Sequence, residues 1–241
     1  MSKILLEVCV DDAHGLAAAV EAGADRIELC SALAVGGLTP SAGLMALAKP
    51  PPTPVYAMIR PRPGDFVFSP AELDVMRRDI DAVRAASLAG VVLGASLSDG
   101  RLDERMLTKL AGHAAGLGMT LHRAFDLVPD FEEAMAIAAE LGFERILTSG
   151  GARNAPEAVD RLAQLVDLAA GRLSIMPGSG INPDTIGELL PRLKVTEVHS
   201  SCSIREPAND KRLIDMGFAP QERRRTDAAM IRAMKARLGA L

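Results

Sequence analysis

Eight short apolar or β-branched runs recur along the chain, each followed by a segment with helical spacing: ILLEVCV, RIELC, PVYAMIRP, GVVLGAS, MTLHRAF, RILTSGG, LSIMPGSG and TEVHSSC. Near-continuous apolar strands are buried on both faces, which calls for a parallel sheet covered by helices. Eight evenly spaced units in 241 residues, with no linker or low-complexity tract, predict an α/β fold, a closed (β/α)8 TIM-type barrel forming a single domain over 1–241. A doubly wound open sheet is the structural alternative. No G-x-G-x-x-G follows the first run, which argues against it.

Local punctuation agrees with this spacing. Gly23, Gly90, Gly118, Gly142 and Gly171 precede strand runs and are expected as left-handed helix C-caps. Ser69-Pro70-Ala71-Glu72 predicts a capping box with proline at the first helical position, Asn154-Ala155-Pro156-Glu157 a similar start, and Asp130 and Asn182 further N-caps. Leu73, Met76, Ile80 and Val83 keep helical spacing between Ala71 and Ala86. The segment from Ser203 to Arg225 reads as the longest irregular stretch, a loop able to fold over the barrel mouth before a last helix near Asp227 to Leu238.

Composition excludes several partners. A net charge of −4, one tyrosine and no tryptophan offer neither a field for phosphate backbones nor stacking platforms, so nucleic acid is not expected. No apolar run approaches the roughly 20 residues of a membrane span, and MSKILLEVCVDD has no cleavage site after its short apolar stretch. Three cysteines are too few for a disulfide framework. A cytoplasmic protein with free thiols is the expectation.

In a barrel of this kind the site is built at the C-terminal ends of the strands. Arg60 and Arg62 follow the third run, and guanidinium groups there need carboxylates, Asp65 among them, or an anionic ligand. Glu7 and Glu28 occupy matching places in the first two runs and predict acid/base work or a cation site. Period-2 alternation puts Cys9 on the face of Glu7 and Cys30 on the face of Glu28. Soft thiolates select ions such as Cu(I), to which Met58 would add a thioether and His199 or Cys202 a further ligand.

His122 and His199 lie near strand ends and are acid/base or ligand candidates, whereas His14 and His113 sit in helical patterns. Arg123 and Asp126 are placed to orient His122 or to pair with each other. LTSGG and MPGSGIN lead into helices through glycine-rich turns, so their amides, around Gly178 and Gly180 in particular, are candidates for an anion pocket.

Taken together, LEVCVDD, AGADRIELCSALAVGGLTPS, MIRPRPGDFVFS, GVVLGAS, TLHRAFD, RILTSGG and MPGSGI resemble the CutC family, named for copper homeostasis, over about Leu5 to Ser201. The resemblance implies a TIM-type barrel, a cytoplasmic location, frequent homo-oligomers and Cu(I) handling, with Cys9 and Cys30 at positions proposed as ligands. Ser179 stands where many members carry glycine, and Cys202 lies outside the motifs. The strand-end set Glu7, Glu28, Arg60, Arg62, His122, Arg123 and Asp126 suits a small anionic or sugar-like ligand instead. The alternative is therefore a hydrolase, isomerase or lyase using Glu7, Glu28 and His122.

Overall fold

The computed structural model describes residues 3–48, 53–208 and 210–240. Its strands are β1 (Leu5–Val10), β2 (Arg26–Leu29), β3 (Val55–Met58), β4 (Gly90–Leu93), β5 (Gly118–Leu121), β6 (Arg145–Thr148), β7 (Ser174–Pro177) and β8 (Glu197–Ser200). β1 to β7 pair in parallel in chain order, and β8 pairs in parallel with β1, so early and late segments of the chain meet in the sheet. β7 and β8 pack side by side and bring the barrel to near closure. All eight expected strands are present.

Helices α1 (Ala13–Glu21), α2 (Ala42–Leu47), α3 (Pro70–Ala85), α4 (Glu104–His113), α5 (Phe131–Glu140), α6 (Val159–Ala169) and α7 (Ile186–Leu189) alternate with the strands outside the barrel. In α3 the apolar stripe Leu73, Met76, Ile80 and Val83 is buried, and Ser69 with Glu72 forms the complete capping box. Asp130 caps α5 through the amides of Glu132 and Glu133. Asn154 departs from expectation. It opens a 3-10 turn over Ala155–Ala158, and its side chain donates to Glu157 Oε1 at 2.6 Å instead of capping a helix.

Gly90 and Gly118 are also not helix caps. They begin β4 and β5, and the left-handed turns fall earlier, at Ser87 (φ 57°) and Gly116 (φ 86°). A Cβ on Gly90 would meet the Tyr56 ring at 2.3 Å, and one on Gly118 would meet the Tyr56 hydroxyl at 2.2 Å. Glycine is required there because an aromatic ring lies inside the barrel against both strands.

That ring belongs to a layer of paired charges near the strand starts. Arg26 donates to Glu7 and Glu197, and Arg145 lies 2.8 Å from Glu144, 3.3 Å from Glu197 and 2.9 Å from Thr120 Oγ1. Both guanidinium groups stack on Tyr56, 5.6 Å and 4.9 Å from its centroid, while its hydroxyl donates to Glu144 at 2.8 Å. Buried charge is retained because each group has opposite charge within reach.

The segment after β8 is not irregular. It forms strands β9 (Ser203–Pro207) and β10 (Glu222–Thr226), which pair antiparallel, with the short helix α8 (Lys211–Asp215) between them and α9 (Ala228–Gly239) beyond. This hairpin pairs with no barrel strand among the described residues.

Candidate functional site

The sheet register assembles a cluster at the C-terminal ends of β1, β2 and β8. Cys9 lies opposite Glu28, and Glu7 opposite His199. His199 Nδ1 is 2.8 Å from Glu7 Oε1, and Nε2 is 3.9 Å from Glu28 Oε2. One ligand atom from each of Cys9, Glu28 and His199 lies within 4.8 Å of the others. Cys30 is turned behind Glu28, donating to its Oε2 at 3.5 Å. The thiol that joins Cys9 on the cavity wall is Cys202.

Burial and mutual charge set the protonation of this cluster. Burial alone would raise the Glu7 carboxyl, but the His199 hydrogen bond and the charges of Arg26 and His199 prevail and hold it at about 2. Glu28 has no such guanidinium contact: burial and the charge of Glu7 raise it, His199 opposing. Its Oε1 is buried with no hydrogen-bond partner. Burial, resisted by His199, raises the Cys9 thiol; burial and Glu28 raise Cys30 further, and burial takes Cys202 to about 11. Burial disfavours the His199 cation, yet Cys9, Glu28 and the Glu7 hydrogen bond outweigh it and raise its pKa well above the ordinary value. His199 thus lies between two carboxyl groups that favour its protonated form.

The facing wall comes from β3 and β5. Arg60, only 4 % exposed, donates through Nη1 to Val35 O (2.9 Å) and Gly37 O (3.1 Å), and through Nη2 to Gly64 O (2.8 Å). It makes no ion pair among the described residues, and its Nε has no acceptor. His122, 3 % exposed, accepts at Nδ1 from the Ala124 amide at 3.2 Å and leaves Nε2 without a partner. Burial first, and then the charge of Arg60, lower its pKa to about 3. Met58 lines the same cavity and packs with Cys30, Tyr56 and Val92.

Arg123 also lines the cavity, whereas Arg62 and Asp126 do not. Arg62 is turned to the rim, bonding Glu72 Oε1 at 2.5 Å, Asp65 Oδ1 at 2.9 Å and Val67 O at 2.8 Å. Arg123 and Asp126 pair with each other at 2.6 Å. Asp126 also accepts from the Thr148 hydroxyl and the Ser149 and Gly151 amides, so the protein's own carboxylate fills the turn after β6. After β7, the Gly178 amide donates to Thr148 O, and a Cβ on Gly178 would lie 2.4 Å from Leu147. Gly180 (φ 73°) and Ser179 (φ 72°) follow it and line the cavity.

The cavity bounded by these walls measures about 1760 Å³. The β9–β10 hairpin lines it too, so the expectation of a segment over the mouth agrees with where its residues lie. Arg26, Arg145 and Glu197, the ion pairs beneath the site, are not among the residues expected from the sequence. Their signal was alternation, because Arg26 lies two residues before Glu28 and Glu197 two before His199.

A model of the CutC family matches residues 4–204. The chain belongs to the CutC family. It is 76 % identical over 240 residues to a CutC protein of Rhizobium meliloti strain 1021, spanning 100 % of this chain and 98 % of the relative. A crystal structure of the candidate copper homeostasis protein CutC from Streptococcus agalactiae superposes with TM-score 0.79 at 32 % identity, covering 82 % of this chain and 98 % of that one. More distantly, a thiamine phosphate pyrophosphorylase of Pyrococcus furiosus shares the barrel alone, at TM-score 0.60 and 15 % identity. No helix among the described residues of this CutC chain is long and apolar enough to cross a membrane.

Proposed function

We propose that this CutC-family protein handles copper by binding Cu(I) in the barrel mouth, through Cys9 Sγ and His199 Nε2 beside Glu28. The observation that carries the reading is the convergence of these three donors within 4.8 Å at the cavity wall. Thiolate and imidazole suit a soft ion, and Glu28, with its unpartnered Oε1, supplies compensating negative charge. Cys30, behind Glu28, is a reserve thiol, and Met58 contributes shape more than ligation. The enzyme alternative draws no support from distant barrels, with which this chain shares the fold alone.

Cys9 and His199 must each lose a proton to become ligands, and both hold those protons more firmly than usual. Affinity therefore rises with pH. An anaerobic Cu(I) titration against a chromophoric chelator, at pH 6 and pH 8, tests this. Tight 1:1 binding is expected, stronger at pH 8, abolished in Cys9→Ser with His199→Ala and largely kept in Cys30→Ser. Full affinity in the double variant would sink the proposal. The same reading places the protein in the cytoplasm, supported by three free buried thiols, and as a homo-oligomer, supported by the exposed apolar Leu127, Met216 and Phe218. A single monomer mass in sedimentation equilibrium would contradict the latter.

A further inference from the structure

The cavity is far larger than one ion needs, and the wall opposite the thiol cluster has a different chemistry. Volumes of several hundred Å³ are typical of sites for small organic ligands. On that wall two hydrogen-bond donors are left without acceptors. Arg60 Nε is one. The other is His122 Nε2: because Nδ1 accepts the Ala124 amide, the neutral imidazole carries its proton on Nε2. Phe66 joins them, its ring 4.7 Å from the His122 ring and 4.9 Å from Arg60 Cζ.

A buried guanidinium whose only acceptors are three backbone carbonyls retains its full charge, and an unmet buried donor costs roughly 1–3 kcal/mol. None of the cavity's acids Asp11, Asp12, Glu28 and Asp184 forms an ion pair with it: Asp11 is turned to the Leu33 amide, Asp12 to the Gly15 amide and Glu28 to His199. The hairpin adds positive charge. Arg205, Arg223, Arg224 and Arg225 line the cavity with Glu206 and Glu222 from the same hairpin; Arg205 pairs with Glu222 at 3.6 Å, and Arg223 and Arg225 share Glu206 at 3.4 Å and 2.7 Å, which leaves Arg224 without a carboxylate among the described residues. Arg224 reaches nothing but the Ser203 hydroxyl, at 3.4 Å. This cationic cover belongs to a chain of net charge −4 and lies almost wholly beyond residue 204, where the family match ends.

We infer that the mouth binds a small organic oxyanion, a carboxylate or a phosphate ester, whose oxygens accept from Arg60 Nε and His122 Nε2 under the arginines of the β9–β10 hairpin. His122 acts as a neutral donor, because burial and Arg60 keep its pKa near 3. Phe66 gives the ligand an apolar wall. The inference stands independently of metal binding, which uses the other side of the cavity.

The test is a calorimetric and NMR titration of the full-length metal-free protein with malonate and with inorganic phosphate, following the His122 imidazole resonances. At least one probe is expected to bind and to shift them. His122→Phe, which leaves the carbonyl contacts of Arg60 intact, is expected to weaken binding about tenfold, as is Arg60→Lys. Arg224→Ala should weaken it less, and Cys9→Ser not at all. Preference for malonate or phosphate separates the two ligand types. The inference is overturned if neither probe binds, or if affinity is unchanged in His122→Phe, which would make Arg60 a loop staple only. Loss of copper binding in Cys9→Ser with retained anion binding would separate this site from the metal reading.

Discussion

The barrel interior holds two layers of buried polar groups that differ in how they are satisfied. Near the strand starts, Arg26, Arg145 and Glu197 with Tyr56 form a set in which every charge faces its opposite; Arg145 Nε makes no hydrogen bond but lies 3.3 Å from the Glu197 carboxylate. One or two pleats higher, Glu28, Arg60 and His122 each keep a buried atom without a partner. The same strands build both layers, so the difference lies in the partners that each layer finds within the fold. Paired charges hold the walls together, whereas the unpaired atoms contribute no such contact. Glu7 belongs to both, giving Oε2 to Arg26 and Oε1 to His199.

Substitutions should separate the layers by sign as well as size. Arg26→Met strands Glu7 and Glu197 and is expected to cost about 3–5 kcal/mol in urea denaturation. A cost below 1 kcal/mol would show that the lower layer is not structural. Next comes acid. Glu7, held at about 2 against an ordinary 4.5, gives stability that is complete above pH 4.5 and lost as pH falls toward 2. This linkage amounts to on the order of 3 kcal/mol, and the acid limb of the wild type should be steeper than that of Glu7→Gln.

Glu28 has the opposite sign. Its raised pKa means that ionisation opposes folding, so its contribution is present below pH 4.5 and fades as pH climbs through the raised value. Glu28→Gln should be neutral or stabilising by on the order of 1 kcal/mol at pH 7. A loss of several kcal/mol would move Glu28 into the structural layer. The smallest effect is expected for His122→Phe, within about 1 kcal/mol, since it removes an unmet donor and keeps an aromatic ring beside Phe66.

How far the sequence carried depended on range. The strands and the Ser69 capping box are set by neighbours within a few positions, and they formed as read. Glu7 and His199 lie 192 residues apart, and only β1–β8 pairing brings them into contact. Both had been placed at strand ends, but not as partners. Arg60 and Arg62 looked equivalent in the text, yet one turned inward and the other met Glu72 on the helix that follows. Strand alternation puts Cys30 beside Cys9, whereas the Cys30 thiol is turned to Glu28 and Cys202 lines the cavity with Cys9. The hairpin was read as loop because SIREP and ERRRT carry no apolar alternation. A two-stranded ribbon clear of the main sheet does not need one.

The hairpin leaves and re-enters the barrel through a narrow neck. The Asp227 amide donates to Cys202 O at 2.9 Å, so the residues bracketing β9, α8 and β10 already touch. An insertion whose ends meet can be shortened, lengthened or exchanged without shifting what it is inserted into. The 24 residues from Ser203 to Thr226 therefore form an insertion that pairs with no barrel strand among the described residues and is moored to the barrel at its ends, where the Thr226 hydroxyl reaches Cys9 O at 3.5 Å.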